Sequence, residues 1–191
     1  MSTKKRKNEI KRKKQKKEER QKVKIKNVSF FDSKYQYIST KRTFGLCDDE
    51  PPPHKPAYLD ENDGSKWIAT VANDTQIKVR FVALDHSIKL LKPDGKKEDR
   101  CSDGLLEYGS TIIFVELTTA THKNWRPDKD DQLRITISHF EKTKESKQYE
   151  IKKAYIANSN FPVLRPSYQS RMDKFLSDTG YDLRIENRIV I

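Results

Sequence analysis

Thr111-Ile112-Ile113-Phe114-Val115-Glu116-Leu117 is the most apolar run of the chain. Its β-branched and aromatic residues predict a buried central strand. A carboxylate in such a strand costs several kcal/mol unless it is paired or bound to a cation. Glu116 therefore marks the place where chemistry is to be sought. Upstream, Asp103 stands in Arg100-Cys101-Ser102-Asp103-Gly104-Leu105-Leu106. Ser87 to Lys92 is apolar and extended, Pro93-Asp94-Gly95 turns the chain, and Asp99 to Tyr108 returns. Glu107-Tyr108-Gly109-Ser110 makes the next turn, so these segments and Thr111 to Leu117 read as a meander.

Adjacent meander strands can set Asp103 beside Glu116. Two converging carboxylates make a hard-cation site suited to Mg²⁺, with water and phosphate oxygens filling the remaining positions. A metal held there polarises a phosphoryl group and acidifies a bound water. The alternative is that Glu116 faces solvent at a strand end and Asp103 caps a turn.

Further along, Pro127 suits a first helical turn, and Asp128, Asp130 and Asp131 suit its positive end. Leu133, Ile137 and Phe140 then form one apolar stripe. Tyr149 to Ala157 reads as a strand. Ser167 to Leu176 reads as a second helix, with Tyr168, Met172, Phe175 and Leu176 on one side and Gly180 as its stop. Leu183 to Ile191 reads as a closing strand. Gln76 to Leu84, alternating around Ile77, Val79 and Phe81, is a strand or a short helix. The order β-β-β-α-β-α-β predicts an α/β fold, a mixed central sheet with flanking helices.

The first 75 residues read differently. Val28 to Phe31 and Tyr35 to Ile38 are short aromatic runs that could be strands, but residues 27–75 otherwise read as irregular. Pro51-Pro52-Pro53 and Pro56 forbid regular structure locally, and Asp48-Asp49-Glu50 is expected to be exposed. The domain reading is thus a 1–26 arm, an irregular 27–75 segment and a 76–191 core.

The net charge of +12 is unevenly placed. Residues 1–26 hold 14 Lys and Arg against 3 Asp and Glu, a net +11. Lys4, Lys5, Arg6, Lys7, Lys11, Arg12, Lys13 and Lys14 form its densest part. Such an arm attracts polyanions through counterion release, and RNA, DNA and an anionic membrane surface all qualify, with DNA and RNA the expected partners. A solubilising tail is the bland alternative. No apolar leader and no run approaching 18 apolar residues is present, so the expected setting is cytoplasmic, without a membrane span. Cys47 and Cys101 are expected to be reduced thiols.

Cys101 to Phe140 resembles the core of the PD-(D/E)XK, or restriction-endonuclease-like, nuclease superfamily. Members place an Asp at the start of one strand, a Glu-x-Lys about a dozen residues later on the next, and often a Gln on the following helix. Asp103, Glu116 and Gln132 match these positions. The resemblance covers about 90 residues and leaves 1–75 largely unmatched. It implies an Mg²⁺- or Mn²⁺-dependent nuclease acting on DNA, in bacterial restriction, phage defence or mobile-element biology. In that reading Gln132 orients the site, while Arg100, Lys123, Arg126 and the arm contact phosphate.

Thr118 stands where the family lysine belongs. That lysine orients the attacking water and offsets negative charge in the transition state. The lysine has migrated (Lys123, Lys152 and Lys153 being nearest along the chain), or the site runs on metal alone, or catalysis is lost. The last option leaves a nucleic-acid-binding or assembly subunit, with a protein partner or as a homodimer. An RNA-binding, ribosome-associated factor using only the arm is a third class. Weaker candidates are His86, a further acid at Glu50 or Glu61, and the His122 to Trp125 loop. Ser138 and His139 form no triad with an obvious acid.

Overall fold

A computed structural model describes residues 29–49, 53, 55–121, 126–161 and 168–191. The basic arm, Glu50 and the loop carrying His122, Lys123, Asn124 and Trp125 lie outside the described residues. The chain is mixed α/β, with two sheets and two helices. Among the described residues no helix is long and apolar enough to cross a membrane.

The strand over Thr111–Thr118 (β7) is central, as its composition predicts. It runs antiparallel to β6 (Gly104–Tyr108), which is antiparallel to β5 (Val79–Ala83). On the other side it is parallel to β8 (Ile151–Asn158), which is parallel to β9 (Asp182–Arg184). With β1 (Gln36–Ser39) at the far edge, the six-stranded order is β1-β5-β6-β7-β8-β9. Helix α1 (Arg126–Phe140) connects β7 to β8, and α2 (Gln169–Thr179) precedes β9. Gly180 ends α2 at φ 78°, a left-handed cap whose N–H donates to the Leu176 carbonyl.

A four-stranded sheet covers the opposite face. Its order is β10-β4-β2-β3, from β2 (Thr43–Cys47), β3 (Tyr58–Asp60), β4 (Ala69–Ala72) and β10 (Arg188–Val190). Burial on both faces explains why β7 is apolar without alternation. Ile112 and Phe114 pack with Leu133, Ile137 and Phe140 of α1 and with Met172 and Phe175 of α2. Ile113, Val115 and Leu117 pack with Phe44, Leu46, Val71 and Ile189 of the second sheet.

Three expectations change. The described residues between 27 and 75 carry four strands, and β1 belongs to the main sheet, so that segment interleaves with the core. Ser87 to Lys92 contributes only an isolated bridge, Leu91 to Glu98, and the first meander strand is β5. Leu183 to Ile191 is two strands in different sheets, because Leu183 and Ile185 enter the helix-side core and Ile189 the other. Leu176 is also on the solvent side of α2.

Gly45 shows how tightly the second sheet closes. A Cβ there would lie 2.0 Å from the Trp67 ring. The ring is tied by its indole N–H to Asp60 Oδ2 at 2.8 Å and cannot simply swing away. Gly45→Ala is expected to destabilise by about 3 kcal/mol through overpacking, read as a lower urea midpoint. Gly64→Ala, whose Cβ would meet the same ring at 3.8 Å, is the control expected to change stability by less than about 1 kcal/mol.

Candidate functional site

The β6–β7 register pairs Gly104 with Val115. One step further along the same ladder, Asp103 faces Glu116. Both share the parity of Leu105, Ile112 and Phe114, the helix-side face. The two carboxylates are therefore cross-strand neighbours on one face, and both are buried. The alternative of a solvent-facing Glu116 does not hold.

Asp103 Oδ2 accepts a hydrogen bond from the Leu117 N–H at 2.6 Å. Burial nevertheless pushes its carboxyl up to about 7, against the opposing pull of the Lys129 ammonium and the Leu117 N–H. Glu116 is raised well above its ordinary value, first by burial and then by the negative charge of Asp103. Neither Glu116 oxygen receives an aligned hydrogen bond among the described residues. The nearest cation is the Lys129 Nζ, 2.9 Å from Oε2, an ion-pair contact off the hydrogen-bond axis.

Lys129 enters from the first turn and a half of α1. The stripe Leu133, Ile137, Phe140 continued back one turn reaches positions 129 and 130, so Lys129 points at the sheet. The glutamate, Asp103 and Asp48 hold its ammonium firmly protonated despite burial. Asp48 follows β2 and is half-buried, not exposed as expected. Its charge and that of Asp85, just past β5, are both felt by Asp103. Carboxylates of the meander and of the segment after β2 thus all act electrostatically on one ammonium, with Glu116 in contact.

Helix α1 also clamps the segment leading into Asp103. The Thr136 hydroxyl accepts the Ser102 N–H at 2.7 Å. Gln132 donates to the Cys101 carbonyl at 3.2 Å and accepts from Arg100 at 3.4 Å. The contacts found for Gln132 are to the strand approach and to Arg100. Thr118 lies at the end of β7, and its hydroxyl accepts the Ala120 N–H at 3.2 Å, a local turn bond.

The phosphate-contact candidates are otherwise engaged. Arg100 donates to the Asp128 carbonyl at 3.0 Å. Arg126 lies over the Tyr168 ring, 4.7 Å from its centroid, and donates to the Tyr168 hydroxyl. Of the candidates for a migrated lysine, Lys152 pairs with Glu141 at 2.8 Å. Lys153 is opposite Ile113, on the sheet face away from Glu116. His86 pairs with Asp85 at 3.2 Å, and His139 with Asp99 at 3.3 Å. Glu61 is exposed, in the turn after β3.

The donor set suits a hard cation in type. It offers two buried carboxyl groups, and neither Glu116 oxygen has a hydrogen-bond partner among the described residues. Among the described residues no three His, Cys, Asp or Glu side chains converge as a metal-holding group. Comparisons with protein-family models, curated proteins and solved structures found no match.

Proposed function

We propose that this chain is an Mg²⁺- or Mn²⁺-dependent nuclease, or a domain derived from one, that acts on DNA through a restriction-endonuclease-like core. The observation that carries the reading is the buried Asp103–Glu116 pair on one sheet face with the Lys129 ammonium against it. The order of meander, helix and parallel strand over β5, β6, β7, α1 and β8 agrees with the resemblance. Asp103 and Glu116 would hold the ion, which supplies a polarised phosphoryl oxygen and an acidified water. Lys129 brings to the site the positive charge that Thr118 lacks, available to a developing phosphorane. Gln132 and Thr136 hold the 101–103 approach in place. The arm adds sequence-independent affinity.

Incubation with supercoiled plasmid, single-stranded DNA and RNA, with Mg²⁺ or Mn²⁺ and with chelator, tests this. Metal-dependent cleavage of DNA is expected. Binding without cleavage in any metal would support the non-catalytic subunit, in which the Lys129–Glu116 ion pair is a permanent closure. Deleting residues 1–26, which hold a net +11, is expected to flatten the salt dependence of binding by several units of log–log slope. An unchanged slope would show that the arm does not carry the affinity.

A further inference from the structure

We propose that the Lys129 ammonium is the resident counter-ion of the Asp103–Glu116 pair, and that a divalent cation competes with it for the same carboxylates. This rests on the cation-binding part of the function proposed above. Lys129 Nζ stands 2.9 Å from one Glu116 oxygen, while the other oxygen is buried without a partner. A divalent ion bound at about 2.1 Å to the free oxygen would stand only a few ångströms from the ammonium. At that depth two like charges repel strongly. The ammonium has somewhere to go, because the Lys129 side chain is 23% exposed and a lysine stem is long enough to carry its head toward water. The metal-free protein is thus held closed by its own cation, and metal loading frees a lysine at the mouth of the site.

Mn²⁺ binding to the full chain, followed through the paramagnetic resonance of the free ion, tests the competition. Lys129→Met is expected to bind Mn²⁺ at least about ten-fold more tightly than wild type, since one repulsive charge is removed. Asp103→Asn is expected to abolish binding in both backgrounds. Lys129→Met leaves buried carboxylates without a counter-charge and could unfold, so the wild type is read as well. Acetylation of Lys129 by a lysine-reactive reagent, quantified by mass spectrometry, is expected to rise as Mn²⁺ saturates the protein. Equal or weaker Mn²⁺ affinity in Lys129→Met, Lys129 labelling unchanged at saturation, or no Mn²⁺ binding in either protein overturns the inference. Competition without DNA cleavage removes the nuclease reading alone. Cleavage with no competition removes only the counter-ion role.

Discussion

Glu116→Gln is expected to reduce metal-dependent cleavage by about 10³-fold or more, a loss typical of removing a charged group from a metal or transition-state site. The substitution keeps shape and volume on β7 and removes only the charge. Glu116 is fully buried with unpartnered oxygens, and in the proposed function it is this carboxylate that holds the ion. The measurement is initial-rate cleavage of supercoiled plasmid at saturating Mg²⁺, beside the thermal midpoint of each protein. A folded Glu116→Gln protein that still cleaves at the wild-type rate would remove Glu116 from the metal site. Glu107→Gln is the contrast, because Glu107 faces Arg80 at 2.7 Å and the Tyr149 hydroxyl at the other end of β6.

The second large effect is on stability in chelator. Asp103 titrates near 7 in the folded chain, mainly through burial, against an ordinary 3.8. A folded-state value raised in this way favours folding when the group is protonated. The contribution is fully present below about pH 4 and is lost as pH rises through about 7. Three units correspond to about 4 kcal/mol. Glu116 is raised as well and feels Asp103, so the pair titrates together. Asp103→Asn keeps an acceptor for the Leu117 N–H and removes the charge. Its stability relative to wild type is therefore expected to rise by up to about 4 kcal/mol between pH 4 and pH 8. Urea unfolding at a series of pH values measures the difference, which cancels the titration of groups common to both proteins. A difference independent of pH would mean that Asp103 ionises freely in the fold.

What could be read from residues alone was whatever depended on near neighbours. The strand at Thr111 to Leu117, the α1 stripe, and the Gly180 cap are local patterns, and all three are observed. Facing carboxylates also followed, since a short hairpin from β6 to β7 leaves little freedom in register. The second sheet was invisible because its strands are short and lack alternation. Tyr58–Asp60 has three residues, and Thr43–Cys47 carries a glycine that the Trp67 ring requires. Lys129 was hidden among Asp128, Asp130 and Asp131, which read as an acidic helix start. The clue was its place on the stripe one turn before Leu133, a position where a lysine must find a buried anion. Asp48 could not be found this way, because its place depends on the long-range strand pairing of the second sheet and not on near neighbours.

The pairing of β10 with β4 has a consequence for when the molecule becomes competent. Val190 sits beside Ala72, so β4 waits for a partner synthesised far downstream. Such high contact order slows folding. While the chain is still emerging from a ribosome, the meander and α1 can collapse, yet the layer that brings in Asp48 lacks its edge. Until residues 188–190 are in place, β4 is paired only with β2, and the second sheet stays one strand short.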